Sequence, residues 1–216
     1  MNFDTFLESI SKIKNIPLPA ESSHFKMVPP FRRELLRQQQ NAIRHAKQAG
    51  VVALFYPGRD NKTYFVLILR KTYEGVHSAQ VGFPGGKLEE QDESLQQAAI
   101  RETFEEVGVP ENTIEIIRDL SKVYIPPSNF YVFPYLGFAH DTPIFRKQED
   151  EVEAIIEVPL HSFLDDDALI KKAVKTSYSV EVEVPAFKLN EHTVWGATAM
   201  MLSEIKDLFK QAFVVT

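Results

Sequence analysis

The 216-residue sequence contains no cysteine. That absence excludes disulfides and thiolate-ligated metals, leaving carboxylate, carbonyl and imidazole groups to hold any cation. Positive charge is also scarce: 24 lysines and arginines stand against 30 aspartates and glutamates, a net charge of −6 at pH 7. Such a chain offers no broad basic surface, so nucleic acid is not expected among its partners. No apolar run approaches the roughly 18 residues that a bilayer span requires, and the N-terminal MNFDTFLESISKIKN mixes acids into its apolar positions. A membrane is therefore not an expected partner, and the lack of thiols suits the reducing cytoplasm. Internal repeats and low-complexity tracts are missing too. What remains, 44% hydrophobic residues, is enough to bury the core of one domain with an appendage.

Apolar residues at Phe3, Phe6, Leu7, Ile10 and Ile13 repeat with helical spacing, and 31–49 reads as a second helix behind Pro29 and Pro30. Together they predict an N-terminal helical extension over 1–46, ahead of a main domain over 47–216. The extension suits either an arm that closes over a ligand or a contact between two copies, which leaves monomer and homodimer both open. Residues 51–56 and 64–70 are apolar, β-branched and aromatic runs on either side of PGRDNK, a strand, turn and strand. Further strands are predicted over 113–124, 131–139, 151–158 and 178–189, a short helix within 161–174, and an amphipathic closing helix over 195–213. Strands interleaved with helices predict an α/β fold in which helices cover a mixed sheet.

Residues 85–109, GGKLEEQDESLQQAAIRETFEEVGV, carry the densest chemistry. Asp92 and Ser94 are both good N-caps for a helix that Gly108 ends. Glu102, Glu105 and Glu106 then share one helical face, and Glu102 repels Glu106 at a cost of about 0.2–0.5 kcal/mol. All three crowd the negative end of the macrodipole, where a cation is preferred by about 0.3–1 kcal/mol per charge. A bound divalent cation relieves both penalties. Mg²⁺ suits such a site, since it takes oxygen ligands and keeps several waters.

The run from Gly86 through Glu93 to Arg101–Gly108 contains an intact REx₂EExG core and resembles the Nudix box, the loop-helix signature of Mg²⁺-dependent hydrolases that cleave a diphosphate linked to another moiety. Upstream, Leu69-Arg70, His77-Ser78-Ala79-Gln80 and Phe83-Pro84-Gly85-Gly86 resemble the motif that precedes the box in coenzyme A pyrophosphatases. The sequence departs from the pattern in four places. Gly86 and Glu93 are seven positions apart where the general box has six, Ala79 stands where Gly is usual, Gly75 where some members have Arg, and Thr103 where the box has an aliphatic residue. None of these touches a carboxylate.

The resemblance implies a Nudix-type α/β/α sandwich with a mixed central sheet, and Mg²⁺ (or Mn²⁺) as cofactor, held by Glu102, Glu105, Glu106 and the Gly86 carbonyl. It implies that Arg101 orients those glutamates, the alternative being a solvated pair with Glu105. Family members take their general base from the box or from a later loop, and here Glu151 is the choice among Glu149, Asp150, Glu151 and Glu153. Arg70 and His77 are candidates for gripping substrate phosphate, Gln80 for fixing the loop beside them, and Gly85 for letting the backbone approach closely. Glu93 reads as a first-turn residue that suits the helix dipole, with remote metal ligation as the alternative. Tyr124, Tyr131 and Trp195 are core residues or adenine stackers, and Lys26, Arg32 and Arg33 are candidates for a 3′-phosphate contact.

The expected activity is cleavage of coenzyme A or an acyl-CoA to 3′,5′-ADP and 4′-phosphopantetheine. Competing readings are another nucleotide substrate, such as ADP-ribose or a dinucleoside polyphosphate, and a non-catalytic nucleotide-binding sensor. A Ca²⁺ site fits poorly, because three carboxylates on a helix lack the looped ligand set that Ca²⁺ favours.

Overall fold

From Val51 to Tyr56 every residue is apolar or aromatic, and in the computed structural model every one is buried. The structure describes residues 1–29, 34, 36, 39–71, 80–175 and 181–213. Strand β1 (Lys47–Pro57) is covered on both faces, so its period-two alternation sends Val51, Ala53 and Phe55 into one core and Val52, Leu54 and Tyr56 into another. Strand β2 (Thr63–Arg70) divides in the same way, with Phe65 and Leu67 on the first side and Val66 and Ile68 on the second.

β1 and β2 pair antiparallel only over Phe55–Pro57 and Thr63–Phe65. Beyond that they separate, and the intervening chain fills the split: β3 (Val81–Gly82) adds to β2, and β4 (Gly85–Lys87) adds to β1. On its other side β1 runs parallel to β7 (Phe130–Phe138), which also pairs antiparallel with β5 (Glu115–Asp119) and β6 (Val123–Ile125). Strand β8 (Val152–Pro159) completes this eight-stranded mixed sheet beside β2. The stretch 113–124 is thus two strands and not one, interrupted where Leu120 donates to the Pro134 carbonyl and Ser121 N–H turns to the Glu204 carboxylate.

Helices cover both faces. Helix α1 (Phe3–Asn15), the short α2 (Glu21–His24) and the C-terminal α6 (Gly196–Phe213) lie on one side, joined there by a small sheet of β9 (Leu169–Lys175), β10 (Glu181–Leu189) and β11 (His192–Val194). Helix α4 (Leu95–Val107) covers the other, and the sandwich is the α/β/α arrangement expected. Two boundaries differ from the sequence reading. The helix expected to run to Ala49 is represented by α3 (Gln40–Arg44), and 47–49 instead join β1, because they find strand partners in β7. Residues 161–174 hold α5 (Leu160–Leu164) and then most of β9, whose backbone groups are taken by β10.

The N-terminal segment shares the main core. Phe6 is fully buried, with its ring 5.4 Å from Phe55 and 6.0 Å from Phe209. Arg118 Nη1 donates to the Ile13 and Ile16 carbonyls at 2.8 and 2.7 Å, satisfying groups that the end of α1 leaves unpaired. Farther on, the buried Glu204 carboxylate of α6 accepts from Ala20 N–H at 3.0 Å and Ser121 N–H at 2.9 Å, with His24 Nε2 3.5 Å away. No helix among the described residues is long and apolar enough to cross a membrane.

Candidate active site

Helix α4 is fixed at both ends before it presents any chemistry. Ser94 accepts from Gln97 N–H at 3.2 Å, and Gln97 Oε1 accepts in turn from Glu93 N–H at 2.7 Å, a near relative of the capping box. At the other end Gly108 adopts φ 77° and donates to the Phe104 carbonyl. The helix sits close to β1 because residue 50 is glycine: a Cβ there would lie 2.2 Å from the Leu95 carbonyl oxygen. Its buried residues are Ala98, Ala99, Thr103, Glu106 and Val107, and Thr103 satisfies its hydroxyl on the Ala99 carbonyl at 2.7 Å.

Glu106 is the unusual member of that list. Only 1% exposed, it enters the split between β1 and β2, where Oε2 accepts from Gly85 N–H at 2.8 Å. Arg70 Nη2 stands 3.0 Å from Oε1 as an ion pair but donates its hydrogen bond to the Gly85 carbonyl, also at 3.0 Å. Among the described residues Oε1, though ion-paired with Arg70, receives no hydrogen bond in its buried position, so it keeps a lone pair that a cation can use. Burial pushes the Glu106 carboxyl up to about 7, against the pull of Arg70 and Gly85 N–H and with Glu102 and Glu151 adding to the rise. The pairing of β2 with β8 slips between Leu69 and Arg70, an irregularity that re-aims a side chain beside the glutamate.

Glu102, one turn earlier, lies against β4. A Cβ on Gly86 would fall 2.2 Å from its Cδ and Oε1, so the carboxylate fills the space that any other side chain would need. Burial raises its pKa, Arg101 opposes the rise, and Glu105 and Glu151 add to it. Arg101 is 13% exposed and fully engaged. It grips Asp92 twice, at Nε–Oδ1 and Nη2–Oδ2 distances of 3.0 Å, reaches Glu105 at 3.0 Å, and touches Glu102 Oε1 and the Lys87 carbonyl at 3.3 Å. Among the described residues no three acidic or imidazole groups converge tightly enough to hold an ion. Each of the three glutamates is instead paired with an arginine, Glu106 with Arg70 and Glu102 and Glu105 with Arg101. The donor set is nonetheless the all-oxygen kind that a hard cation takes.

Residues 46–178 match the NUDIX domain family. The chain belongs to the Nudix hydrolases. Among curated proteins this Nudix hydrolase is 30% identical over 157 residues to a peroxisomal coenzyme A diphosphatase of Caenorhabditis elegans, an alignment covering 72% of this chain and 65% of that protein. It is 34% identical over 185 residues to the uncharacterized Nudix hydrolase NudL of Escherichia coli, covering 85% of this chain and 90% of that one. Among solved structures, the Nudix hydrolase RenU of Mycobacterium smegmatis superimposes with a TM-score of 0.53 at 12% identity, over 79% of this chain and 90% of that one, a likeness of fold. Enzymes of this family work with divalent cations on small nucleotide derivatives.

In this Nudix hydrolase the expected residues do not all lie together. Arg70, Gly85, Gly86, Arg101, Glu102, Glu105 and Glu106 gather where α4 meets β2 and β4. Glu151 lies on the loop before β8, near enough for its charge to be felt at both Glu102 and Glu106. The Gln80 backbone carbonyl accepts Arg70 N–H at 3.0 Å, a bond that does not depend on its side chain. His77, Ala79, Gly75, Arg32 and Arg33 lie outside the described residues. Tyr124 is buried against Tyr131 with its hydroxyl on Asn129 Oδ1, and Lys26 is paired with Asp207 at 2.6 Å.

Sequence reasoning assigned Asp92 only a capping role, which Ser94 fills instead. The signal was available: the extra loop residue that moves Glu93 to the seventh position after Gly86 leaves Asp92 at the sixth, the spacing of the general box. Glu93 itself is exposed.

Proposed function

We propose that this enzyme hydrolyses the diphosphate of coenzyme A or an acyl-CoA, giving 3′,5′-ADP and a 4′-phosphopantetheine product. The observation that carries the reading is the contact of Arg70 and Gly85 with Glu106. It unites the motif upstream of the box, which resembles that of coenzyme A pyrophosphatases, with the box helix in one buried group, and the name of the nematode relative points the same way.

Glu102, Glu105, Glu106 and the Gly86 carbonyl are the groups we assign to Mg²⁺ or Mn²⁺, on the strength of the buried Glu106 Oε1, which receives no hydrogen bond from the described residues, and the Glu102 carboxylate packed on Gly86. When bound there, the cation would supply charge neutralisation on the diphosphate and would make a bound water more acidic. We assign Glu151 as the general base that would take a proton from the attacking water, whose oxygen bonds one phosphorus while the bridging P–O bond breaks. The bridging oxygen leaves on the other phosphate, so the two products are phosphate monoesters. Arg101 keeps Glu102 and Glu105 in place, and Arg70 screens the charge that accumulates beside Glu106. His77 is assigned to a substrate phosphate on its motif alone.

Incubation with coenzyme A, ADP-ribose or diadenosine tetraphosphate and Mg²⁺, with mass detection of products, tests reaction and substrate together. Coenzyme A should yield the two named products. Much faster turnover of ADP-ribose or the dinucleotide would replace coenzyme A as the substrate, and no turnover of any of the three would remove all three from the reading.

A further inference from the structure

Between β7 and β8 the chain returns across the C-terminal end of α4. Arg146 N–H caps the Val107 carbonyl at 2.9 Å, and Gln148 N–H caps the Glu106 carbonyl at 3.0 Å. A Cβ at residue 108 would lie 3.0 Å from Arg146 N, so the glycine that ends the helix also admits this loop. Gln148 then does more than cap. Its own carbonyl accepts Val152 N–H at 3.0 Å, and its side-chain Oε1 accepts both Asp150 N–H and Glu151 N–H at 2.7 Å. Both acceptor sites of the amide oxygen are filled by this pair.

Glu151 is held from the opposite side as well. Its carbonyl takes Lys71 N–H at 2.8 Å, next to Arg70, whose strand partner is Val152. The backbone of residue 151 is therefore pinned between the end of β2 that carries Arg70 and the end of α4 that carries Glu106, while its side chain stays exposed. A loop acid gains a fixed direction only if its backbone is fixed, and misplacement by about 1 Å can cost about 100-fold in rate.

We infer that Gln148 is a positioning residue, aiming the Glu151 carboxylate at the reacting water by holding the N–H groups of residues 150 and 151. The inference rests on the reading of Glu151 as general base. Gln148 touches neither substrate nor cation, and acts through Glu151. The side chain requirement is an acceptor of this length: leucine cannot accept, and glutamate can.

Kinetics with Mg²⁺ and the fastest substrate among coenzyme A, ADP-ribose and diadenosine tetraphosphate test it in four proteins beside the wild type: Gln148→Leu, Gln148→Glu, Glu151→Gln and the double variant Gln148→Leu/Glu151→Gln. Gln148→Leu should lower kcat by about 10- to 100-fold with KM changed less than about twofold, Gln148→Glu should recover most of that loss, and the double variant should match Glu151→Gln alone. Wild-type kcat in Gln148→Leu while Glu151→Gln is impaired overturns the positioning role and leaves the base assignment standing. A further loss in the double variant as large as in the single one also overturns it, since Gln148 would then act independently of Glu151. Wild-type kcat in Glu151→Gln removes the base assignment and the positioning role with it. Gln148→Glu, which keeps the acceptor, guards against reading a folding defect as lost positioning.

Discussion

Asp92 and Arg101 grip each other through two parallel hydrogen bonds of 3.0 Å, and the aspartate side chain is only 1% exposed. The guanidinium beside it holds the Asp92 carboxyl below the usual range, so the pair stays ionised. Asp92 also accepts Glu89 N–H at 2.8 Å, tying the loop before α4 to the arginine that contacts Glu102 and Glu105. Asp92→Ala should therefore reduce kcat, or raise the Mg²⁺ requirement, by about 10- to 100-fold, as loss of a ligand-orienting partner does. Glu93→Ala, one residue away and exposed, should stay within about twofold. Steady-state rates across a Mg²⁺ titration compare the two, and a larger loss at Glu93 would return the box role to that residue.

Adjacent glycines make opposite demands. At Gly86 the obstacle to a side chain is the Glu102 carboxyl, the far end of a flexible group, whereas at Gly85 it is the Gly50 carbonyl oxygen at 2.3 Å, with φ at 142°. Gly86→Ala should fold within about 1 kcal/mol of wild type, because Glu102 can swing aside, yet lose most of its activity. Gly85→Ala should lose about 3 kcal/mol or more through backbone strain and clash. Urea denaturation beside activity separates the two, and equal stability losses at both sites would contradict this division.

How far the sequence reached can be judged from these same residues. The unbroken apolar run of 51–56 identified a strand, and the REx₂EExG spacing placed Glu102, Glu105 and Glu106 on one helical face, since both follow from local pattern. The split of β1 from β2 was not legible, because strand pairing is decided between distant segments, and neither was the fate of Glu106. Its burial comes from that split, from Arg70 thirty-six residues earlier and from Gly85, contacts that no helical period encodes. Asp92 was masked by a competing cap at Ser94, and Gln148 carried no motif at all.

Glu106 should make the metal-free protein sensitive to pH. Burial raises its carboxyl from 4.5 to about 7, with Arg70 and Gly85 N–H opposing. The folded state thus holds this proton more tightly than the unfolded chain does, so the group's stabilisation is complete below pH 4.5 and is lost as pH rises through 7. The size of the effect is about 3 kcal/mol. Glu106→Gln cannot titrate, so between pH 4.5 and 8 the stability of wild type should fall relative to the variant by that amount in urea melts with a chelator present. The same substitution should abolish hydrolysis while leaving the protein folded. A constant difference across the range would mean that Glu106 titrates as an ordinary carboxylate.

The N-terminal helix can be tested as core or arm. An arm that closes over substrate must come away at little cost, but Phe6 has no exposed surface and stacks on Phe3 and Phe55, with Phe209 of α6 at its edge. Asn61 and Met1 add backbone bonds between this segment and the β1–β2 turn, and Arg118 holds the far end of the helix. Removing a buried phenylalanine costs about 3–5 kcal/mol, which for a chain of this length lowers Tm by about 10 °C. Phe6→Ala should show that drop as one shifted cooperative transition, because Phe55 and Phe209 belong to the sheet and the closing helix alike. An unchanged Tm, or an early separate transition confined to the first residues, would make the helix an arm after all and move its role from stability to substrate closure.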